Sequence, residues 1–174
     1  MTSGPAVVSN AGPLIVLAKL NVLHLLKALY RCVHVVRPVY EEVVVEGMRA
    51  GHEDARALYL FLAQMKWPIE EVAPEEIPPD LAEASLDRGE RETLALAMVL
   101  GSRLVLMDET VGREAARARG LTVRGSLGVL IEAYRQGEIG ADQLRLYLAE
   151  IARRHDIWVN PALVERLQDE VLGP

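Results

Sequence analysis

The sequence predicts an α/β fold: three layers, α/β/α, around a central parallel sheet, with further helices at the C-terminus. Three observations carry the prediction. Short apolar stretches at residues 6–9, 33–36, 104–107 and 121–123 alternate with longer segments of helical period. Leu104-Val105-Leu106-Met107 is an unbroken apolar run of the kind buried on both faces of a parallel sheet. An apolar content of 51% over 174 residues is ample for one well-buried core.

Taken in order, residues 6–9 read as a strand ended by Asn10-Ala11-Gly12-Pro13, after which Leu14, Leu17 and Leu20 mark a first helix. Asn21 reads as the N-cap of a second helix reaching Tyr30. Val33-His34-Val35-Val36 is the second strand, and Pro38, tolerated in a first helical turn, opens a helix to about Met48 that Gly51 breaks. Residues 52–65 are helical with Ala55, Leu58 and Leu62 inward, and the proline-rich, acidic residues 68–79 are strand plus surface loop.

Asp87-Arg88-Gly89-Glu90 has the form of a capping box opening a helix to Leu100. Asp108 and Glu109 then stand at the end of the apolar strand. A helix follows from about Thr110 to Arg119, stopped by Gly120, then a strand, then a helix from Ser126 to Gln136. Residues 141–154 and the helix opened by Asn160-Pro161 form a helical tail. The expected organisation is an α/β domain over residues 1–140 with a helical extension over 141–174 packed on it.

Cys32 is the only cysteine, so no intrachain disulfide or cysteine-based metal framework forms. No leader-like or membrane-spanning run is present in the sequence, which is expected to be cytoplasmic. A net charge of −6 argues against coating nucleic acid through a general field, so local arginines or cations must offset it if nucleic acid is the substrate. There is no phosphate-binding loop, no G-x-S-x-G elbow and no dinucleotide fingerprint. His24, His34, His52 and His155 lack zinc-site spacing. A phosphate receiver needs a late lysine, and none follows Lys66.

What remains is a set of polar residues at the carboxyl ends of the strands, where ligands of such sheets sit: Asn10, Glu41, Glu42, Glu90 and Asp108. Carboxylates brought together repel, so a fold either protonates some of them or binds a cation among them. Oxygen donors of this type suit Mg²⁺ or Mn²⁺, with waters and a phosphate completing the shell. Each residue also has a plainer role open to it. Asp108 can cap the helix before Thr110, Glu90 can serve only the capping box, Glu42 can be a solvated acid, and Asn10 can shape an Asx-turn. Glu92 and Glu109 are secondary candidates, surface roles being the alternative. Arg113, with Arg117, can offer guanidinium groups to a backbone phosphate or pair with Glu109 or Glu114 along the helix.

The chain resembles the PIN-domain proteins, in particular PIN-like proteins often encoded beside small antitoxin-like partners. The resemblance rests on residues 7–15 (VVSNAGPLI), 38–43 (PVYEEV), 89–97 (GERETLALA), 104–113 with Asp108-Glu109 and Gly112-Arg113, and 125–130 (GSLGVL). It implies an Mg²⁺- or Mn²⁺-dependent ribonuclease acting on single-stranded RNA, in many relatives the toxin of a toxin–antitoxin pair and a homodimer. Matched position by position, Glu42, Glu90 and Asp108 fall on the metal-binding acids. Glu92 points about 200° around the helix from Glu90. Asn10 stands where active relatives carry aspartate, so it contributes a carbonyl oxygen without charge. The alternative reading is a catalytically weak or inactive module that binds RNA or protein.

Overall fold

The computed structural model describes residues 5–173, which divide into two compact units, one ending at Ser126 and one beginning at Leu127. In the first unit, β1 (Val7–Ser9), β4 (Leu104–Leu106) and β5 (Thr122–Arg124) form a parallel sheet in the order β1-β4-β5. Val8 sits opposite Val105, which sits opposite Val123. β2 (Val35–Val36) and β3 (Ile69–Glu70) pair in parallel beside them, and a single parallel bridge from Val8 to His34 joins the two sets. The sequence places the second strand at 33–36; only its last two residues complete the ladder, with His34 held by the bridge.

Helices fill the connections: α1 (Ala11–Lys19), α2 (His24–Tyr30), α3 (Arg37–Tyr40), α4 (Gly47–Arg49), α5 (Glu53–Met65), α6 (Pro79–Ala82), α7 (Arg88–Val99) and α8 (Thr110–Ala118). They give the expected α/β architecture of a parallel sheet flanked by helices. Val8, Val105, Leu106 and Met107 are fully buried, as a strand covered on both faces requires, together with Leu14, Leu17, Leu58 and Leu94 from the helices. Asn21 does not cap α2. It adopts a left-handed backbone (φ 58°) just past the end of α1, a conformation asparagine tolerates better than most residues.

The helix expected from residue 39 to 48 is not uniform. Between α3 and α4 the turn widens into a π-helical segment, Glu41–Glu46, and Glu42 lies in it. Such segments are rare and concentrate at functional sites. Three successive valines, Val43 to Val45, make this stretch a weak α-helix former, since branching at Cβ crowds the preceding turn. Gly47 then lets α4 approach α5: a Cβ there would lie 2.6 Å from that of Ala55.

The second unit carries the rest of α9 (Ser126–Arg135), α10 (Ala141–Arg153) and α11 (Pro161–Leu172). α10 packs on α11, with Leu144, Leu148, Ile151 and Val164 buried. Asn160 caps α11, its side-chain oxygen accepting from the Ala162 amide at 3.0 Å with Pro161 at the first position. No described helix is long and apolar enough to cross a membrane.

Candidate functional site

The five described strands all run parallel, so their carboxyl ends lie on one side, and the connections leaving them carry Asn10, Glu41, Glu42 and Asp108. Asn10 follows β1 and is buried, fixed by its backbone amide donating to Leu106 O at 2.9 Å. Its side-chain amide donates to Glu109 Oε2 at 3.2 Å. Glu109 precedes α8 in the N-cap position but makes no side-chain cap there, which leaves its carboxylate to Asn10.

Glu90 is placed by the capping box at the start of α7. Asp87 Oδ1 accepts from the Glu90 amide at 2.7 Å, and Glu90 Oε2 accepts from the Asp87 amide at 3.0 Å. The other oxygen, Oε1, faces Gly112 of α8, where a Cβ would come within 2.9 Å of it. Glu90 is buried, and that burial leads in raising its pKa above the ordinary glutamate range. The backbone hydrogen bond from Asp87 opposes the rise, while the charges of Asp87 and Glu109 add to it. Glu42, accessible at the surface, is raised too, first by lost hydration and then by the charges of Asp87, Glu109 and Glu90. The charges of Asp87 and Glu109 thus reach both Glu42 and Glu90, an acidic group in which Asn10 bonds Glu109.

Asp108 takes a different position. Its Oδ1 accepts from the Ser126 amide at 2.7 Å and its Oδ2 from the Ser126 hydroxyl at 2.5 Å, so it binds the first residue of α9. Arg113 stands beside it, donating Nη1 to Met107 O at 2.7 Å. Burial raises the Asp108 pKa despite the Ser126 hydrogen bonds and the Arg113 charge, which favour the carboxylate. The plainer alternative for Asp108, capping the helix before Thr110, is not seen: its carboxylate instead accepts from Ser126, after the next strand. Its Oδ2 and Glu109 Oε1 both lie against Gly12, within 3.0 Å and 3.3 Å of where a Cβ would stand.

The remaining residues are dispersed. Glu92 is buried but pairs with Arg88 at 2.7 Å, and Arg88 is also influenced by Glu41 and Glu71. Arg113 is half-buried; burial and the nearby charge of Arg117 lower its pKa, Asp108 opposing. Arg117 is exposed one turn further along α8. The sequence marks Asp87 as part of a capping box and Ser126 as the start of a helix, without tying either to the acids. The aspartate of a capping box necessarily lies beside its glutamate, a signal for Asp87, whereas nothing local ties Ser126 to Asp108.

The chemistry of the donor set fits a hard divalent cation: carboxylate oxygens, an amide, and carboxyl pKa values raised first by burial and then by neighbouring like charges. Gly12 and Gly112 keep the space before those oxygens free of side chain. The acids do not form a closed cage, for among the described residues no three His, Cys, Asp or Glu side chains gather in a group that could hold a metal ion. Mg²⁺ asks for less than a cage, binding one or two carboxylates and retaining its waters.

No curated protein matches the chain. The family model for the PIN domain matches residues 6–171, nearly the whole length and every element that builds the acidic group. PIN domains are generally nucleases and typically use divalent metals. With that match added to the parallel sheet and its acid-lined edge, the chain belongs to the PIN-domain family.

Proposed function

We propose that this PIN-domain protein is a divalent-metal-dependent endoribonuclease that hydrolyses phosphodiester bonds in single-stranded RNA. The observation that carries the reading is the placing of Glu90 and Glu109 at the carboxyl edge of the sheet, with Asn10 bonded to Glu109 and the charge of Glu109 raising the pKa of both Glu42 and Glu90. These acids, together with Asp108, would hold Mg²⁺ or Mn²⁺. When bound, such a cation supplies the positive charge a phosphodiester needs beside carboxylates and makes water a better nucleophile.

The chain's own residues do the rest. Asn10 aims the Glu109 carboxylate without adding charge, and the capping box aims Glu90. Asp108, through Ser126 and beside Arg113, fixes the strand end from which Glu109 projects. Arg113 and Arg117 supply guanidinium groups for substrate phosphate. The α/β portion, residues 1–140, carries the activity, with 141–174 as an appended helical extension. The family resemblance supports a cytoplasmic homodimer acting as the toxin of a toxin–antitoxin pair with a small antitoxin protein.

Purified protein is expected to cut single-stranded RNA only with Mn²⁺ or Mg²⁺ and to lose that activity in Asp108→Asn. Full activity in that variant removes Asp108 from the machinery. Asn10 supports a second reading, an RNA- or protein-binding module without hydrolysis, because a neutral amide replaces the carboxylate expected at that position. Calorimetry distinguishes them: no heat of Mn²⁺ binding at millimolar metal favours the module.

A further inference from the structure

Next to the acidic group, a cavity of about 310 Å³ opens between α1, the π-helical segment and the start of α5. Its volume is at the lower end of the range for small-molecule sites, roughly 300 Å³. Ile15, Val43 and Ala50 give it apolar walls, and Lys19, His52 and Asp54 line it with polar groups. Glu42 lines it as well and is at the same time a member of the acidic group, so cavity and candidate centre share a side chain. The π-helical turn and the close approach of Gly47 to Ala55 shape this part of the fold.

The charges decide what the cavity accepts. Glu42, Glu46 and Asp54 contribute carboxylates against Lys19 and His52, and Glu46 is itself tied to Arg49 at 2.7 Å. A phosphate would meet acids on several sides. A nucleobase meets apolar walls, a histidine ring and acceptors for its amino group. Carboxylates accept from exocyclic amino groups such as cytosine N4, and unstacked RNA bases are read by stacking on rings and by hydrogen bonds at their edges.

We infer that this cavity is a base subsite, taking an amino-bearing nucleobase of single-stranded RNA that flanks the phosphate held at the acidic group. The inference rests on the nuclease reading for the position of that phosphate. Asp54 accepts from the base amino group, Lys19 donates to an adjacent ring nitrogen or carbonyl, and His52 stacks at the rim. Uracil, lacking the amino group, is the poorest occupant.

The test is fluorescence anisotropy with Ca²⁺ in place of Mn²⁺, so that a cation still offsets the carboxylates beside the phosphate, using labelled oligocytidylate, oligoadenylate and oligouridylate that gels show to stay uncut. Wild type is expected to bind the first two about tenfold more tightly than oligouridylate, the scale of one good base-edge contact. Asp54→Ala should erase the preference, and Ala50→Trp, which fills the cavity, should weaken the two amino-bearing oligomers by about tenfold; melting curves confirm that both variants fold. Equal binding of all three oligomers, or a preference unchanged in Asp54→Ala, overturns the inference even if Mn²⁺-dependent cleavage is observed. A preference lost in Asp54→Ala in a protein that cuts no RNA upholds the subsite and removes the nuclease reading alone.

Discussion

The side-chain amide of Asn10 donates to Glu109 Oε2 at 3.2 Å, joining residues 99 positions apart in the chain. A carboxylate in place of that amide would face Glu109 as a like charge at hydrogen-bond distance, a contact that needs a shared proton or a cation. Asn10 therefore lets the acidic group assemble without metal. In the metal-free state, Asn10→Asp is expected to lower stability by about 2 kcal/mol, a hydrogen bond to a carboxylate exchanged for repulsion. Its Mn²⁺ affinity should rise by roughly tenfold, the low end of what supporting residues of metal sites control. Thermal melting in EDTA and calorimetric titration with Mn²⁺ check both; a variant as stable as wild type with unchanged affinity contradicts the role given to Asn10.

Asp108 and Glu90 should separate by stability. Asp108→Ala strips both Ser126 hydrogen bonds from the start of α9 and leaves Arg113 without its carboxylate neighbour. A loss of about 2–3 kcal/mol is expected in urea unfolding. Glu90→Gln keeps an acceptor for the Asp87 amide, because glutamine also serves in a capping box, and removes a buried charge. Its metal-free stability at neutral pH should equal or exceed that of wild type. The reverse order would mean that the two carboxylates have each other's roles.

The raised pKa values of Glu42, Glu90 and Asp108 set a direction for pH dependence. An acid held above its unfolded pKa binds its proton more tightly in the folded state. Its contribution is most favourable below the unfolded value, 4.5 for the glutamates and 3.8 for the aspartate, and is lost as pH rises through the folded value. Metal-free stability from these groups should thus fall as pH climbs out of the ordinary carboxylate range, while stabilisation by Mn²⁺ grows over the same interval. Melting curves in EDTA and in Mn²⁺ should diverge with rising pH, and less so in Glu90→Gln. Parallel curves would separate metal binding from these acids.

Gly112 offers a steric test. A Cβ there would stand 2.3 Å from Met107 Sδ and 2.9 Å from Glu90 Oε1. Met107 is fully buried and has little room to retreat. Gly112→Ala is expected to cost about 1–3 kcal/mol and to weaken Mn²⁺ binding by turning Glu90 away. A variant with wild-type stability and metal affinity would show that α8 and Glu90 are not packed as described.

Much of the fold was legible because its signals are local. The continuous Leu104-Val105-Leu106-Met107 run contains β4, the middle strand of the β1-β4-β5 sheet, and Asp87-x-x-Glu90 forms a capping box. The family resemblance, carried by short motifs in a fixed order, agrees with the match over residues 6–171. The π-helical turn around Glu42 was not legible, since three valines weaken an α-helix without saying what replaces it. Nor was the bond between Asp108 and Ser126, whose 18-residue separation is fixed by the register of β4 with β5 and by no motif. Glu109, secondary to Asp108 in the sequence, is the strand-end acid whose charge reaches Glu42 and Glu90, while both Asp108 oxygens are bonded to Ser126.

The most direct test is cleavage of labelled single-stranded RNA by wild type, Glu90→Gln and Glu109→Gln, with each protein's melting temperature recorded. Cleavage by wild type should require Mn²⁺ or Mg²⁺ and stop with EDTA. Both variants should lose at least about a hundredfold in rate, the upper range for groups supporting a metal site, while melting as wild type does or higher. Cleavage that persists in EDTA, or at the wild-type rate in both variants, would contradict the account.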